Sequence, residues 1–127
     1  MTHKILFIAT AVILMIFGLI WFFIPHVGLM VYGHDLEVHD LACIITRYWG
    51  SAFIALAVIL WLARKGQADS IAVRALIIGG FVLAVTGLIA SIIDMIFGTA
   101  NGMLWLNILL YGVFAVLYGY LAFKKPA

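Results

Sequence analysis

Two ionisable residues stand within long apolar stretches of the sequence. Arg47 interrupts "LACIITRYWGSAF", and Asp94 interrupts "IASIIDMIFG". A charge near the centre of a bilayer costs about 2.5 to 3.5 kcal/mol on insertion scales, so a charged residue in such a segment usually pairs. Both residues are expected at similar depth, and we predict a salt bridge between them. Asn107, Tyr48 or Tyr111 would fill the remaining hydrogen-bond positions.

Two roles are open for this pair. A structural pair would fix the register and rotation of the helices, since breaking a buried ion pair is costly. A functional pair would use Arg47 to hold an anionic or carbonyl-bearing ligand, or Asp94 as a titrating group in a proton pathway. The sequence leaves both roles open.

The segment from 25 to 40 concentrates the residue types that bind metals. His34 and His39 are five residues apart and would not share a helical face, whereas Asp35, His39 and Cys43 recur at steps of four and would. No standard zinc or haem spacing is present, so a solvated, pH-sensitive loop is the alternative to a metal site. The candidate ligands are His39, Asp35, Cys43, His34 and His26, with Glu37 and Asp40 nearby.

Enzymatic chemistry has little to build on in this chain. The sequence lacks a nucleophile-base constellation, a phosphate-binding glycine loop and a paired-cysteine redox motif. Cys43 is the only cysteine, so it cannot form an internal disulfide, and we interpret it as a small buried hydrophobe. No cofactor is predicted.

The elements that must position these residues are membrane-spanning helices. Of the 127 residues, 68% are hydrophobic and only 9% are charged, which is more apolar surface than a soluble domain of this length can bury. Four windows reach the length of a spanning helix. They cover about residues 5–24, 41–62, 75–97 and 103–123, and together predict a single all-α domain built as a four-helix transmembrane bundle.

Charge distribution predicts how these spans are oriented. Basic residues precede the first span, occupy the loop between the second and third, and follow the fourth, whereas the 25–40 connection has none. By the positive-inside rule both termini are cytoplasmic and the 25–40 connection faces outward. The formal net charge of +2 is thus a topology signal, and no basic patch suggests nucleic-acid binding.

Small and polar residues predict which helix faces meet, because small residues let helix backbones approach in a bilayer. The second span carries Arg47, Ser51 and Ala55 at steps of four, with Gly50 beside them. The third and fourth spans carry comparable stripes, Gly80, Ala84, Gly87, Ser91, Asp94 and Gly98 on one, and Asn107, Tyr111, Ala115, Tyr118 and Ala122 on the other.

The outward connection is too apolar for a free loop. Pro25 stops the first span, and the following "VGLMVYG" predicts a segment lying in the interface or folded back as a re-entrant cap.

The layout resembles the DoxX-like group of small bacterial inner-membrane proteins. The likeness consists of four short spans, a first span ending in proline, an outward loop, and "RYWG" (Arg47 to Gly50) opening the second span. The resemblance implies a four-helix fold in the bacterial inner membrane, in some cases associated with redox or thiol-stress complexes. It implies no catalytic residues for this chain.

Three functional hypotheses follow. The first is a non-enzymatic accessory or oligomeric subunit with a polar site in the outer leaflet that binds a small ligand or lipid. The second is a proton- or ion-coupled transporter or channel component, acting as a homo-oligomer. The third is a lipid- or quinone-linked redox enzyme subunit in which Arg47 holds an oxygen of the substrate. The expected partners are the lipid bilayer and other membrane subunits or further copies of the chain.

Overall fold

The computed structural model describes residues 2–32, 41–98 and 102–124, of which 88% are helical and none lie in a strand. The helices are α1 (His3–Phe23), α2 (Pro25–Met30), α3 (Leu41–Ala63), α4 (Ile71–Phe97) and α5 (Met103–Phe123). Four of them, all except α2, are long and apolar enough to cross a membrane, as expected of a multi-pass membrane protein. The all-α class and the four predicted spans are therefore confirmed.

The third predicted span begins earlier than the hydropathy pattern indicated. α4 starts at Ile71, four residues before the predicted window, because Ser70 caps it: its backbone is extended, and its side chain accepts a hydrogen bond from the Val73 amide at 3.2 Å. At 27 residues α4 is the longest helix, about 40 Å from end to end.

A short helix follows α1 almost without interruption. Pro25 stands at the first position of α2, where its missing amide hydrogen is not needed, and Ile24 alone leaves the helical conformation, with φ at −132°. A Cβ on Gly28 would stand 2.8 Å from Cδ1 of Trp21, so α2 folds back against the end of α1. The sequence predicted that Pro25 ends the first span but not that a helix resumes there.

The chain divides into two compact units. One comprises Phe7–Leu62 and is called here the α1–α3 unit; the other comprises Met1–Leu6 with Ala63–Ala127 and is called the α4–α5 unit.

The α1–α3 unit is organised around a close backbone crossing. A Cβ on Gly50 would lie 2.7 Å from the carbonyl oxygen of Gly18 and from the amide nitrogen of Phe22. Both neighbours are backbone atoms that cannot swing aside, so only glycine fits. Trp21 closes the crossing on one side by contacting Phe53, with ring centroids 5.2 Å apart.

This crossing corrects the predicted face of α3. Ser51 and Ala55, expected to face other helices, are exposed. The close approach occurs at Gly50, one residue and about 100° of helix rotation away, because glycine permits a tighter contact than serine or alanine. The buried residues of α3 are Cys43, Thr46, Gly50, Phe53, Ala57 and Leu60.

The α4–α5 unit is an antiparallel pair in which aromatic rings cover glycines. The ring of Tyr118 lies over Gly80 and the ring of Tyr111 over Gly87, so two glycines seven residues apart meet two tyrosines seven residues apart. Here the predicted stripe is correct as far as Ser91, which is buried, as is Ala84 between the two glycines.

One end of the α4–α5 unit, where α4 begins and α5 ends, is held by polar contacts to the main chain. Arg74, in the first turn of α4, donates to the carbonyl oxygens of Leu121 at 3.0 Å and Ala122 at 2.8 Å, which lie in the last turn of α5. His3 Nε2 lies 2.8 Å from the carbonyl oxygen of Gly66, so the N-terminal segment is tied to the turn that precedes α4.

Candidate functional site

The depth of Asp94 follows from the length of α4. Nineteen residues separate it from Arg74, and at about 1.5 Å per residue the two charges are about 30 Å apart along the helix axis. That distance equals the thickness of a typical hydrocarbon core. Arg74 and Asp94 therefore bracket an apolar segment of α4 about as long as a hydrocarbon core is thick.

This placement removes the need for a buried partner of Asp94. The residue is exposed, and no salt bridge is found among residues 2–32, 41–98 and 102–124. The Arg47–Asp94 ion pair that the sequence predicted is accordingly unsupported. The prediction assumed that both charges lie within the hydrocarbon, whereas a carboxylate at the interface is hydrated without an ion pair.

The other predicted residues of the α1–α3 unit differ in exposure. Arg47 is half-buried, six residues from the start of α3. Tyr48 is 75% exposed and Ser51 is exposed. On α3 the predicted polar cluster is thus a half-buried arginine flanked by an exposed tyrosine and an exposed serine.

The predicted residues of α5 lie on the face that contacts α4. Tyr111 is half-buried with its ring over Gly87, and one turn away the same antiparallel register places Asn107 opposite Ser91. The Ser91 hydroxyl donates to the carbonyl oxygen of Gly87 at 2.9 Å. Asn107 and Tyr111 thus belong to a helix–helix contact within the α4–α5 unit.

The proposed metal ligands are only partly open to examination. His34, Asp35 and His39 lie outside the described residues, and Cys43 is fully buried and not part of a disulfide. His26 is half-buried, and its Nδ1 atom is buried with no hydrogen-bond partner found in the described part of the chain. Within those described ranges no group of three or more His, Cys, Asp or Glu side chains could hold a metal ion.

A groove of about 410 Å³ lies within the α1–α3 unit. Eight apolar residues of α1 and α3 line it, among them Met15, Ala57 and Trp61. Sites for small polar ligands combine an apolar lining with a few convergent polar groups. This groove suits hydrocarbon rather than a polar substrate.

Sequence reasoning missed two features that organise the structure. Arg74 was read only as a topology signal, although its guanidinium also binds the end of α5. Gly18 was not singled out, although it supplies the backbone that Gly50 contacts. The signal for Gly18 was present, since an isolated glycine within an apolar span often marks close helix approach.

No protein-family model, curated protein or solved structure matches this chain.

Proposed function

We propose that this chain is a non-enzymatic subunit of a membrane assembly, formed either with further copies of itself or with other membrane proteins. The observation that carries the proposal is a set of small and polar residues on the exposed side of α4, which lie beside bulky apolar residues such as Val82 and Ile93.

Small and polar residues recur on that side. Four of them, at steps of four and seven, are exposed: Ala75, Gly79, Thr86 and Ala90. Gly79 has nothing within 4 Å of the position a Cβ would take, so it leaves an open notch on the helix surface. Asp94 is exposed further along α4, at the edge of the same side.

α5 provides the contrast within the same unit. Its exposed residues are uniformly bulky, and they are the kind that face lipid: Trp105, Leu109, Val113, Val116, Tyr120 and Phe123. Small residues on a spanning helix permit close backbone approach, and packing between helices in a bilayer depends on such approach. A partner helix therefore accounts for the exposed small residues of α4 better than lipid does.

Polar residues within the spanning helices form the second part of the proposal. Arg47, Tyr48 and Ser51 of the α1–α3 unit, and Asp94, Asn107 and Tyr111 of the α4–α5 unit, are proposed as outer-leaflet polar residues that organise the assembly and bind a small ligand or lipid. Arginine suits this role because it recognises carboxylate, phosphate and carbonyl oxygens through several donors at once.

The cellular setting belongs to the same proposal. The positive-inside rule supports cytoplasmic termini, with the 25–40 connection outward and folded into the interface. The "RYWG" stretch and the four-span layout support a DoxX-like protein of the bacterial inner membrane.

Oligomeric state tests the subunit proposal. Gly79→Leu would fill the open notch on α4, and Gly112→Leu is the matched control, because Gly112 is also a helical glycine with nothing within 4 Å but lies on α5. Native mass spectrometry from mild detergent should show the wild type as an oligomer of the chain or as a complex with a co-purified partner. Gly112→Leu should form the same assembly as the wild type, whereas Gly79→Leu should be dissociated. A monomeric wild type without partners would refute the proposal.

A further inference from the structure

Most cations of the chain belong to one end of the α4–α5 unit, called here the basic end. It comprises Lys4, Arg64, Lys65, Arg74 and Lys124. Among the residues described there, Asp69 is the one acidic side chain, since Asp94 lies about 30 Å away at the other end of α4. Five positive charges thus face a single negative one.

Contacts within the unit link the chain segments that carry these residues. His3, next to Lys4, lies 2.8 Å from the carbonyl oxygen of Gly66, next to Lys65. A Cβ on Gly66 would stand 2.7 Å from Cγ2 of Val73, so this turn packs on the start of α4.

Arg74 links the end of α5 to the start of α4. Its guanidinium donates to the carbonyl oxygen of Ala122, two residues before Lys124. The N-terminal segment, the 64–70 turn and the end of α5 are therefore linked through the start of α4.

Helix ends of both signs lie at the basic end. α1 and α4 begin there, and neither has an acidic residue in its first turn. α3 and α5 end there and contribute negative ends, although Arg74 satisfies two terminal carbonyl oxygens of α5. The positive potential of this end therefore comes from its side chains.

Lys4, Lys65 and Lys124 are the exposed cations of this surface, and the last two stand beside features that suit a ligand. Lys65 lies in the turn after α3, and Lys124 follows α5 with its ammonium group 5.5 Å from the centroid of the Tyr120 ring. Phe123, beside Lys124, is 76% exposed. Exposed aromatic rings at the end of a spanning helix lie at the headgroup level of a bilayer, where phosphates are the available anions.

We propose that the basic end binds the phosphate of an anionic phospholipid, with Lys65 and Lys124 as its principal cations. Charge complementarity selects the anionic headgroup. The apolar rings of Tyr120 and Phe123 beside Lys124 suit the glycerol and upper acyl part of a lipid, which a free phosphate does not have. The site is separate from the polar residues of the proposed outer-leaflet site, and it does not depend on them.

Lipid retention measures this proposal directly. The full chain in mild detergent is mixed with equal concentrations of phosphatidylglycerol and phosphatidylcholine, and bound lipids are counted by native mass spectrometry. The wild type should retain phosphatidylglycerol preferentially. Lys65→Gln and Lys124→Gln should each lower that preference about fivefold, and added salt should lower it further.

Two control variants test whether side-chain charge determines the preference for phosphatidylglycerol. Asp69→Asn removes the opposing negative charge and should raise the preference, whereas Gln67→Ala, exposed in the same turn, should leave it unchanged. All four positions are exposed, so helical content and thermal unfolding should match the wild type. Equal retention of the two lipids by the wild type, or full phosphatidylglycerol preference in the double lysine variant, would overturn the proposal.

Discussion

The ring of Tyr118 lies directly over Gly80, with its Cδ1 atom 2.6 Å from the position that a Cβ on Gly80 would take. The contact is reciprocated one residue further along both helices, where Cε2 of Phe81 lies 3.0 Å from the position of a Cβ on Gly119. Each helix of this pair thus accepts an aromatic ring of the other over a glycine. These contacts between aromatic rings and glycines set the distance between α4 and α5.

The first prediction concerns this contact. Gly80→Ala should destabilise the protein by about 1 to 3 kcal/mol, because its methyl group would overlap the buried Tyr118 ring. Gly112→Ala is the control, since it meets open space on α5 and gains helix propensity; it should be neutral or stabilising by up to about 1 kcal/mol. Unfolding in mixed micelles with increasing SDS would measure both. Equal effects of the two variants would contradict this account of the contact.

The second prediction separates the observed face of α3 from the predicted one. Gly50→Ala should lower stability by about 2 kcal/mol or more, because its Cβ would meet the backbone of α1 at 2.7 Å. Ser51→Ala should change stability by less than about 0.5 kcal/mol, because Ser51 is exposed. Thermal unfolding followed by circular dichroism would compare the two variants. A larger loss from Ser51→Ala would restore the predicted face.

The third prediction concerns the end of α5. Arg74→Gln should cost about 1.5 to 3 kcal/mol, because it removes charged donors from two carbonyl oxygens in the last turn of α5. Hydrogen exchange should show faster exchange in that last turn than in the centre of the helix. Lys65→Gln removes an equal charge from an exposed side chain, and should leave exchange in α5 as in the wild type. Matching exchange in both variants would indicate that the bonds to Arg74 do not hold this turn.

The fourth prediction tests the position of Asp94. Asp94→Asn should change stability by less than about 0.5 kcal/mol, because the carboxylate is exposed at the interface. A buried salt bridge with Arg47 would instead make the loss about 3 to 5 kcal/mol. Unfolding in SDS mixed micelles distinguishes these outcomes, and a double-mutant cycle with Arg47→Gln would measure any coupling between the two residues.

The helices could be predicted from the sequence because composition alone dictates them. In a bilayer each backbone polar group must be satisfied within its own segment, so a long apolar window has no alternative to a helix. The start of α4 was missed because the cap at Ser70 lies in a polar stretch that hydropathy does not weigh. Local side-chain chemistry, rather than apolarity, decides that boundary.

Helix faces were predicted correctly where the sequences of both contacting helices show the contact. On α4 and α5 the glycines have the same seven-residue spacing as the tyrosines that cover them, so the stripe is visible in both segments. On α3 the choice between Gly50 and Ser51 depends on the backbone of α1 at Gly18, which the sequence of α3 alone does not contain. The sequence pattern of α3 therefore did not show which of these two adjacent residues makes the contact.

The proposed polar site was harder to predict because depth matters more than residue type. Arg47 and Asp94 were assigned to the hydrocarbon by their neighbours, and from that the salt bridge followed. α4 ends at Phe97, as predicted, and Asp94 is exposed in its last turn, where water satisfies the carboxylate. A shift of a few residues along a spanning helix thus changes a charge that needs a partner into one that water satisfies.

The separation of Arg74 and Asp94 also has a consequence for the membrane itself. Their charges delimit an apolar length of about 30 Å on a single rigid helix. A bilayer several Å thinner would force α4 to tilt or would thin further around it, and a thicker one would draw charge toward the acyl chains, each at a fraction of a kcal/mol per Å. Hydrophobic mismatch at α4 would thus sort this protein toward bilayers of one thickness.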